Sequence, residues 1–236
     1  MANFGGLTDH FGILGLAQTG GTTLGVVLEL INSSSTPQAQ SRADALDENG
    51  DIADAAWHGN TSAGLKDASS TFALKSGTLA LDDLVLGELA TGKVVTSISV
   101  NTVNGAWPQI EVSGVTGSIA LEQAKTYDLP EITINGKKQA QLMGLTLTTG
   151  KLTDCSLEAS CDWAQQEDGE GEPVAYGISG AIATASGTAV ATSDAAPVLA
   201  AAGEWTLSQG AGVDEPQAAW HTGTLSVEQV LDVDIA

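Results

Sequence analysis

Basic residues are scarce in this chain of 236 residues, which has eight Lys and Arg against 29 acidic residues and a formal net charge of −21. The single Arg is Arg42, and all seven Lys lie between Lys66 and Lys151. Residues 152–236 carry 14 acidic residues and neither Lys nor Arg. Binding to nucleic acid through a basic patch is therefore excluded, because it requires clustered Lys and Arg. Binding to an anionic membrane surface is excluded for the same reason.

The chain also lacks long apolar runs and is poor in cysteine. No segment approaches the roughly 18 consecutive apolar residues of a membrane-spanning helix, and residues 1–6 lack the basic and apolar regions of a signal peptide. The two cysteines, Cys155 and Cys161, would lie on one face of a strand roughly 20 Å apart, too far for a disulfide. We predict reduced, partly buried thiols, no membrane association and synthesis in a cytoplasm without Sec export.

Complete catalytic motifs are absent. The segment from Gly87 to Val94 nearly matches a phosphate-binding loop, but Val94 stands where Ser or Thr must ligate magnesium. A β-branched strand follows instead of a helix, so the segment predicts a hairpin turn. The segment Gly177-Ile-Ser-Gly-Ala181 resembles a nucleophile elbow but lacks its last Gly. Paired carboxylates such as Asp82-Asp83 are expected by chance among 29 acidic residues, so they do not indicate a glycosidase site. We predict no catalytic residue and no enzyme activity.

No metal or cofactor motif is complete either. Asp47, Asn49 and Asp51 resemble the start of a calcium loop, but the required Gly falls at the fourth position and His58 occupies the twelfth. This is not an EF-hand, although a weak surface calcium site stays open as an alternative. The cysteines and the three histidines show no zinc-ligand spacing. We predict no metal ligand, no cofactor-binding residue and no cofactor.

Aromatic residues make up only 4% of the chain, and five of them are Trp. Exposed Trp rings can form a platform on which sugars stack. Because the chain has so few aromatic residues, we favour the interpretation that each Trp packs against part of the core instead.

The residues that are present indicate β-strands. Alternating apolar and polar residues, many of them β-branched, recur in segments separated by turn residues. The candidate strands are 24–31, 71–81, 94–100, 109–113, 131–135, 142–148, 151–158, 174–184, 204–208 and 223–227. We predict an all-β fold, an antiparallel β-sandwich or barrel with long loops or arms and at most one or two short helices. We predict that residues 1–236 form a single β-rich domain. The alternative is two β subdomains of about 1–117 and 118–236.

Turn and loop patterns refine this prediction. Asn49-Gly50 and Asn135-Gly136 favour type I′ hairpin turns, and Asp168-Gly169 begins a polar loop over 167–172. Residues 32–41 are rich in Ser, Thr and Gln without periodicity, which is typical of a mobile loop or arm. Short helical patterns occur at 81–89, 118–125 and 195–202.

An internal duplication is a further hypothesis. Residues 51–61 match residues 214–224 at six of eleven positions, including the Ala-Ala-Trp-His segments that end at His58 and His221. The Asn49-Gly50 and Asp168-Gly169 turns also resemble each other, but the number of residues between them differs from that between the two matching segments. A single duplication gives only one such separation, so it cannot explain both matches. Whether the repeat is a true duplication stays open.

Several of these segments together resemble bacteriophage virion proteins, especially tail-tube proteins. They are the polar arm of residues 32–45, the acidic hairpin of residues 46–52, and the strands 94–100 and 109–115. The resemblance implies a virion subunit that forms rings, often hexameric, and whose partners are copies of itself and other virion proteins. An acidic lumen would let DNA slide without sticking. A head-decoration or other virion protein, and a carbohydrate-binding or adhesive β module, are the alternatives.

The charges are also segregated along the chain. Residues 66–151 contain all the lysines, whereas residues 152–236 are acidic throughout. A high net charge can serve only to keep the monomer soluble. The segregated distribution also suits head-to-tail contacts between the lysine-bearing middle and the acidic end, or one acidic wall repeated around an axis.

Overall fold

A computed structural model describes residues 27–38, 41–58, 64–90, 92–118, 125–169, 173–191, 196–213 and 221–235. These residues form 17 β-strands, and no α-helix occurs among them. A single 3-10 turn, Leu81–Asp83, is the only helical element in the described ranges. The predicted all-β fold is confirmed.

The strands follow one another along the chain with short connections. They are β1 Val27–Pro37, β2 Ser41–Leu46, β3 Ile52–His58, β4 Lys66–Ser76, β5 Thr78–Ala80, β6 Val85–Ala90, β7 Lys93–Val103, β8 Gln109–Thr116, β9 Lys125–Asp128, β10 Thr133–Asn135, β11 Leu145–Thr149, β12 Lys151–Glu167, β13 Pro173–Ala191, β14 Val198–Ala201, β15 Thr206–Val213, β16 His221–Val230 and β17 Val233–Ile235.

One large antiparallel sheet organises the fold. Eight of its eleven strands run in the order β1-β4-β8-β7-β12-β13-β16-β15, and β6, β9 and β17 branch from β7. Three two-stranded sheets accompany it, formed by β5 with β10, β11 with β14, and β2 with β3. Pairing is antiparallel throughout these sheets.

Strand β12 illustrates why the sequence adopts this sheet. Cys155, Leu157, Ala159 and Cys161 alternate with polar residues, and all four are buried while Glu158 is exposed. Because successive side chains of a strand point to opposite faces, this alternation gives the sheet one apolar and one polar face. The apolar face forms the core.

Small residues let a second layer approach the large sheet closely. The buried face of β13 carries Ala183, Ala185, Gly187 and Ala189 in alternation. A Cβ added at Gly187 would lie only 2.7 Å from Cδ1 of Leu145, which begins β11. The β11–β14 sheet thus packs on residues that present almost no side chain, which gives the high Ala and Gly content a structural role.

The β5–β10 sheet and the segment after it cover another part of the core. Leu79 of β5 and Ile134 of β10 are fully buried. The Gln141 side chain exchanges two hydrogen bonds with the backbone of Asn135, at 2.8 and 2.9 Å. Its backbone N–H donates to the hydroxyl of the buried Thr102, on β7, at 2.9 Å. These bonds fasten the chain after β10 to the large sheet.

Two of the predicted helices are wrong. Residues 81–89 contain only the Leu81–Asp83 turn, after which β6 begins at Val85. Residues 195–202 contain strand β14. Both segments pair with neighbouring strands instead: β6 pairs with β7 and β9, and β14 pairs with β11. These tertiary contacts override the helical propensity of Ala and Leu. The third predicted helix, 118–125, lies mostly outside the described residues, and Lys125 begins β9.

The predicted mobile loop at 32–41 is also wrong over most of its length. Residues 32–37 belong to β1, which pairs along its whole length with β4. The Ser34 and Ser69 hydroxyls are hydrogen-bonded across this pair at 2.9 Å. Periodicity is missing because most side chains of this part of β1 are exposed, so neither face selects apolar residues.

The Asn-Gly turns differ in detail from the prediction. In the β2–β3 hairpin the Gly50 N–H donates to the Asp47 carbonyl at 3.0 Å, so Glu48 and Asn49 are the central residues and Gly50 follows with φ of +83°. A type I′ turn would have Asn49 and Gly50 as its two central residues, so the predicted turn is not the one formed. Asn135-Gly136 joins no hairpin, because β10 pairs with β5. Gly136 instead packs its backbone against Ser76.

The cysteine prediction is confirmed and sharpened. Cys155 and Cys161 are free thiols on the same face of β12, and both are buried. Burial raises the pKa of Cys155 to about 12, and burial together with the Asp162 carboxylate raises that of Cys161 to about 11.

These pKa shifts predict a loss of stability at alkaline pH. Below about pH 9 the thiols are protonated in both the folded and the unfolded chain and contribute nothing. Between about pH 9 and the raised pKa values only the unfolded chain releases the protons, so stability falls by up to about 1.4 kcal/mol per pH unit per thiol. Denaturant titrations at about pH 8 to 11 should give a shallower slope for Cys155→Ala than for the wild type. Equal slopes would contradict this role of the thiol.

Candidate functional site

The exposed face of the large sheet is mostly polar, and Ile182 and Val230 are exposed apolar residues at one border of it. The strand register aligns one row of side chains across all eight strands, and none of them is buried. In sheet order this row is Asn32, Thr71, Glu111, Ser99, Glu158, Thr184, Glu228 and Thr206. Three glutamates thus alternate with hydroxyl-bearing residues along a single line.

Two further rows flank the glutamate row. On one side lie Ser34, Ser69, Ser113, Ser97, Ser160, Ile182 and Val230. On the other side lie Gln109, Asn101, Ser156, Ser186 and Ser226. No residue of the three rows is a Lys or an Arg. We call these three rows the polar wall.

Hydrogen bonds between neighbouring strands order parts of this wall. The Ser156 and Ser186 hydroxyls lie 2.9 Å apart, as do those of Ser34 and Ser69. Thr206 Oγ1 donates to the carbonyl oxygen of Glu228 at 3.0 Å. Glu111, Glu158 and Glu228 are exposed to solvent, so their carboxylates give the wall a negative potential.

The wall ends at two strands that pair on one side only within the described ranges. Strand β1 pairs with β4, and β15 pairs with β16. Such edges present backbone N–H and C=O groups that another chain can pair with. The β2–β3 hairpin pairs with no other described strand, and its two apolar residues beside the turn, Leu46 and Ile52, are 62% and 54% exposed.

Of the three Trp rings whose burial is described, one is buried and two are partly buried. Trp205 is buried in the core, as predicted for a core Trp. Trp163 is partly buried and its ring stacks on Tyr176, with centroids 5.5 Å apart. Trp107 is also partly buried, and the ammonium groups of Lys75 and Lys138 lie 5.6 and 5.1 Å from its ring centroid. The side chains of Trp57 and Trp220 do not belong to the described part of the structure.

The segment that resembles a phosphate-binding loop is a hairpin. Strands β6 and β7 pair antiparallel up to Ala90 and Lys93, so the predicted hairpin is confirmed. Gly87 and Gly92 both have positive φ, and a Cβ at Gly87 would lie 2.2 Å from the Lys125 carbonyl oxygen. These glycines serve backbone packing.

The segment that resembles a calcium loop uses its first carboxylate within the turn. Asp47 Oδ1 accepts hydrogen bonds from the N–H groups of Asn49 and Asp51 at 2.8 and 2.9 Å. The bonds from Asp51 and Asn49 lower the pKa of Asp47. Across the described ranges, no group of three or more His, Cys, Asp and Glu side chains is placed to hold a metal ion.

The remaining sequence candidates are scattered. Gly177–Ala181 lies within strand β13 and forms no strand-to-helix turn. His221 begins β16, whereas His10 and the His58 side chain lie outside the description. The repeat at 214–224 also lies mostly outside it.

No protein-family model matches the chain, and no curated protein sequence matches it. Within the described residues, the structure has no helix of the length and apolarity needed to cross a membrane.

Proposed function

We propose that this protein is a structural subunit of a self-assembling viral particle, resembling a phage tail-tube protein, and that the polar wall lines a channel through which DNA passes. Its partners are copies of itself and other virion proteins, and its place is the virion. The resemblance of residues 32–52, 94–100 and 109–115 to virion proteins motivates the proposal.

The observation that carries the proposal is the composition of the polar wall. A surface over which DNA slides must not bind phosphates, so it has to lack Lys and Arg and repel the polyanion. The wall meets both conditions through its three exposed glutamates and its rows of hydroxyl and amide groups. Those groups also keep the surface hydrated, which favours sliding.

Features at the wall's borders support ring formation. The edge strands β1 and β15 lie at opposite ends of the strand order, so β1 of one subunit can pair with β15 of the next. A heterologous contact of this kind generates a ring when its rotation closes. The exposed apolar residues Leu46 and Ile52 of the β2–β3 hairpin suit a contact with a neighbouring subunit.

The purified protein is therefore expected to assemble. Size-exclusion chromatography with light scattering should give masses several times the 23.8 kDa of the chain, and negative-stain images should show rings or tubes. A hairpin variant, Leu46→Asp with Ile52→Asp, should shift the protein towards monomers while circular dichroism stays unchanged. A wild-type protein that stays monomeric at millimolar concentration would contradict the proposal. A Trp fluorescence response to glycans in that monomer would favour the carbohydrate-binding alternative.

A further inference from the structure

The sequence contains three Asn-Gly pairs, Asn49-Gly50, Asn104-Gly105 and Asn135-Gly136. An Asn that precedes Gly can lose its side-chain amide spontaneously, because Gly has no Cβ to keep its backbone nitrogen away from the Asn side-chain carbonyl carbon. The three pairs share this chemistry, so the fold determines which of them reacts. All three belong to the described part of the structure, at different places in it.

The reaction, deamidation, needs only water and hydroxide. The backbone nitrogen of the Gly gives its proton to hydroxide and attacks the Asn side-chain carbonyl carbon, which forms a five-membered succinimide. The bond from that carbon to the side-chain nitrogen breaks, and the nitrogen takes a proton from water and leaves as ammonia. Water then opens the succinimide at either carbonyl and gives Asp or isoaspartate. The attack therefore requires a Gly N–H released from its hydrogen bond and an Asn side chain that can rotate.

The side chain of Asn104 is held from two directions. Its Oδ1 accepts a hydrogen bond from the Ala140 N–H at 2.9 Å, and its Nδ2 donates to the Leu152 carbonyl oxygen at 2.7 Å. The Gly105 N–H donates to the Lys138 carbonyl oxygen at 3.1 Å. These partners belong to other segments of the chain, so the attack requires the β7–β8 turn to separate from both of them.

Asn135 and Gly136 are held at the end of the β5–β10 sheet. The Gln141 side chain bonds to the backbone N–H and C=O of Asn135 at 2.9 and 2.8 Å. The Gly136 N–H donates to the Gly77 carbonyl oxygen at 2.9 Å, and a Cβ built on Gly136 would lie 2.5 Å from Cα of Ser76. Closure of the succinimide ring would therefore require this end of β10 to leave its neighbours.

The Asn49-Gly50 pair lies in the turn of the β2–β3 hairpin. Both residues are exposed, and a Cβ built on Gly50 would meet nothing within 4 Å. The Gly50 N–H donates to the Asp47 carbonyl oxygen at 3.0 Å, and the Asn49 side chain bonds to the Asp47 carboxylate. Both acceptors belong to one exposed residue of the same turn. The bonds that must break for the attack therefore lie within the turn itself.

We propose that Asn49 is the deamidation site of the folded protein and that the fold protects Asn104 and Asn135. Opening an exposed turn costs less free energy than releasing a segment that is bonded to several others. Each further hydrogen bond that must break slows the reaction, so Asn104 and Asn135 should react at least about tenfold more slowly than Asn49. The inference does not depend on the proposed function.

Deamidation changes the hairpin in two ways. It adds a carboxylate beside those of Asp47 and Glu48, and isoaspartate places one additional carbon in the backbone between residues 49 and 50. The β2–β3 hairpin pairs with no other described strand, so its own turn and pairing hold its register. The modified turn should therefore loosen the hairpin, which carries the exposed apolar residues Leu46 and Ile52.

Incubation of the full-length protein at mildly alkaline pH, followed by proteolytic digestion and mass spectrometry, measures the three rates side by side. Replacement of the side-chain NH2 by OH identifies each reacted peptide by its mass, and released ammonia gives the total. The chain unfolded in urea is the control, because all three pairs are then exposed and should react at similar rates. Both samples contain about 1 M NaCl, at which the Debye length is about 3 Å, so the carboxylates near Asn49 have little effect on its rate.

In the folded protein, Asn49 should react at least about tenfold faster than Asn104 and Asn135, and within about tenfold of its rate in the unfolded chain. Asn49→Gln should remove nearly all the ammonia that the folded protein releases, because Gln would have to close a less favourable six-membered ring. A smaller ratio between Asn49 and either other site would overturn the inference. Ammonia release that persists in Asn49→Gln, or a folded protein in which Asn49 does not react, would overturn it as well.

Discussion

Phe72→Ala is expected to lower the free energy of unfolding by about 3–5 kcal/mol, because removal of a large buried aromatic side chain loses its burial and leaves a cavity. Phe72 is fully buried on β4, between Leu30 of β1 and Ile110 of β8 in the strand register. Urea or guanidinium titration of the purified variant measures the change.

The matched control for Phe72→Ala is Thr71→Ala, at the adjacent residue. Thr71 points to the polar wall and is partly exposed, so its replacement should cost less than about 1 kcal/mol. The pair tests the register of β4, since a slip by one residue would exchange the two faces. Equal losses for both variants would contradict the fold described above.

A wall variant with Glu111→Lys, Glu158→Lys and Glu228→Lys is expected to convert this acidic surface into one that binds DNA. Each substitution replaces a negative charge by a positive one in the same row. If three phosphates are neutralised per subunit, affinity for DNA should fall about 40-fold between roughly 50 and 200 mM salt. Electrophoretic mobility shifts and fluorescence anisotropy with labelled DNA at several salt concentrations measure this.

The control for the wall variant changes the net charge equally at other sites. Glu48→Lys, Asp82→Lys and Glu167→Lys are exposed positions outside the polar wall. The wild type and this control should bind DNA at least tenfold more weakly than the wall variant, at low salt. If the control binds DNA as tightly as the wall variant does, the net charge determines DNA binding and the position of the lysines on the wall does not matter.

The sequence predicted those strands in which burial imposes a pattern. Residues 94–100 and 151–158 alternate because one face of β7 and of β12 is buried, and both strands are present. The same reasoning found residues 27–31 of β1 but failed for residues 33–36, which lie at an edge of the described part of the sheet and carry polar side chains on both faces. A strand with polar side chains on both faces shows no alternation of apolar and polar residues in its sequence.

Helix and turn predictions failed where tertiary contacts decide the backbone. Gly87 takes a φ of +112° against the Lys125 carbonyl, inside a segment whose Leu and Ala content favours helix. Gly136 packs against Ser76 of a different strand instead of closing a hairpin. Neither contact can be deduced from neighbouring residues, because the partner lies far along the chain.

The candidate surfaces were predictable only in outline. Charge segregation indicated an acidic wall or head-to-tail contacts, but the three wall glutamates come from β8, β12 and β16 and align only through the strand register. One cavity is likewise lined by both Glu131 and Glu204, which are too far apart in sequence for a local pattern to connect them. The sequence carries the charges, and the fold decides which of them share a face.

A cryo-electron microscopy reconstruction of the assembled wild-type protein tests the central claim most directly, because it locates the polar wall relative to the channel. The account predicts rings or tubes whose lumen is lined by Glu111, Glu158 and Glu228. A reconstruction in which these glutamates face the outside, or are buried between subunits, would contradict it.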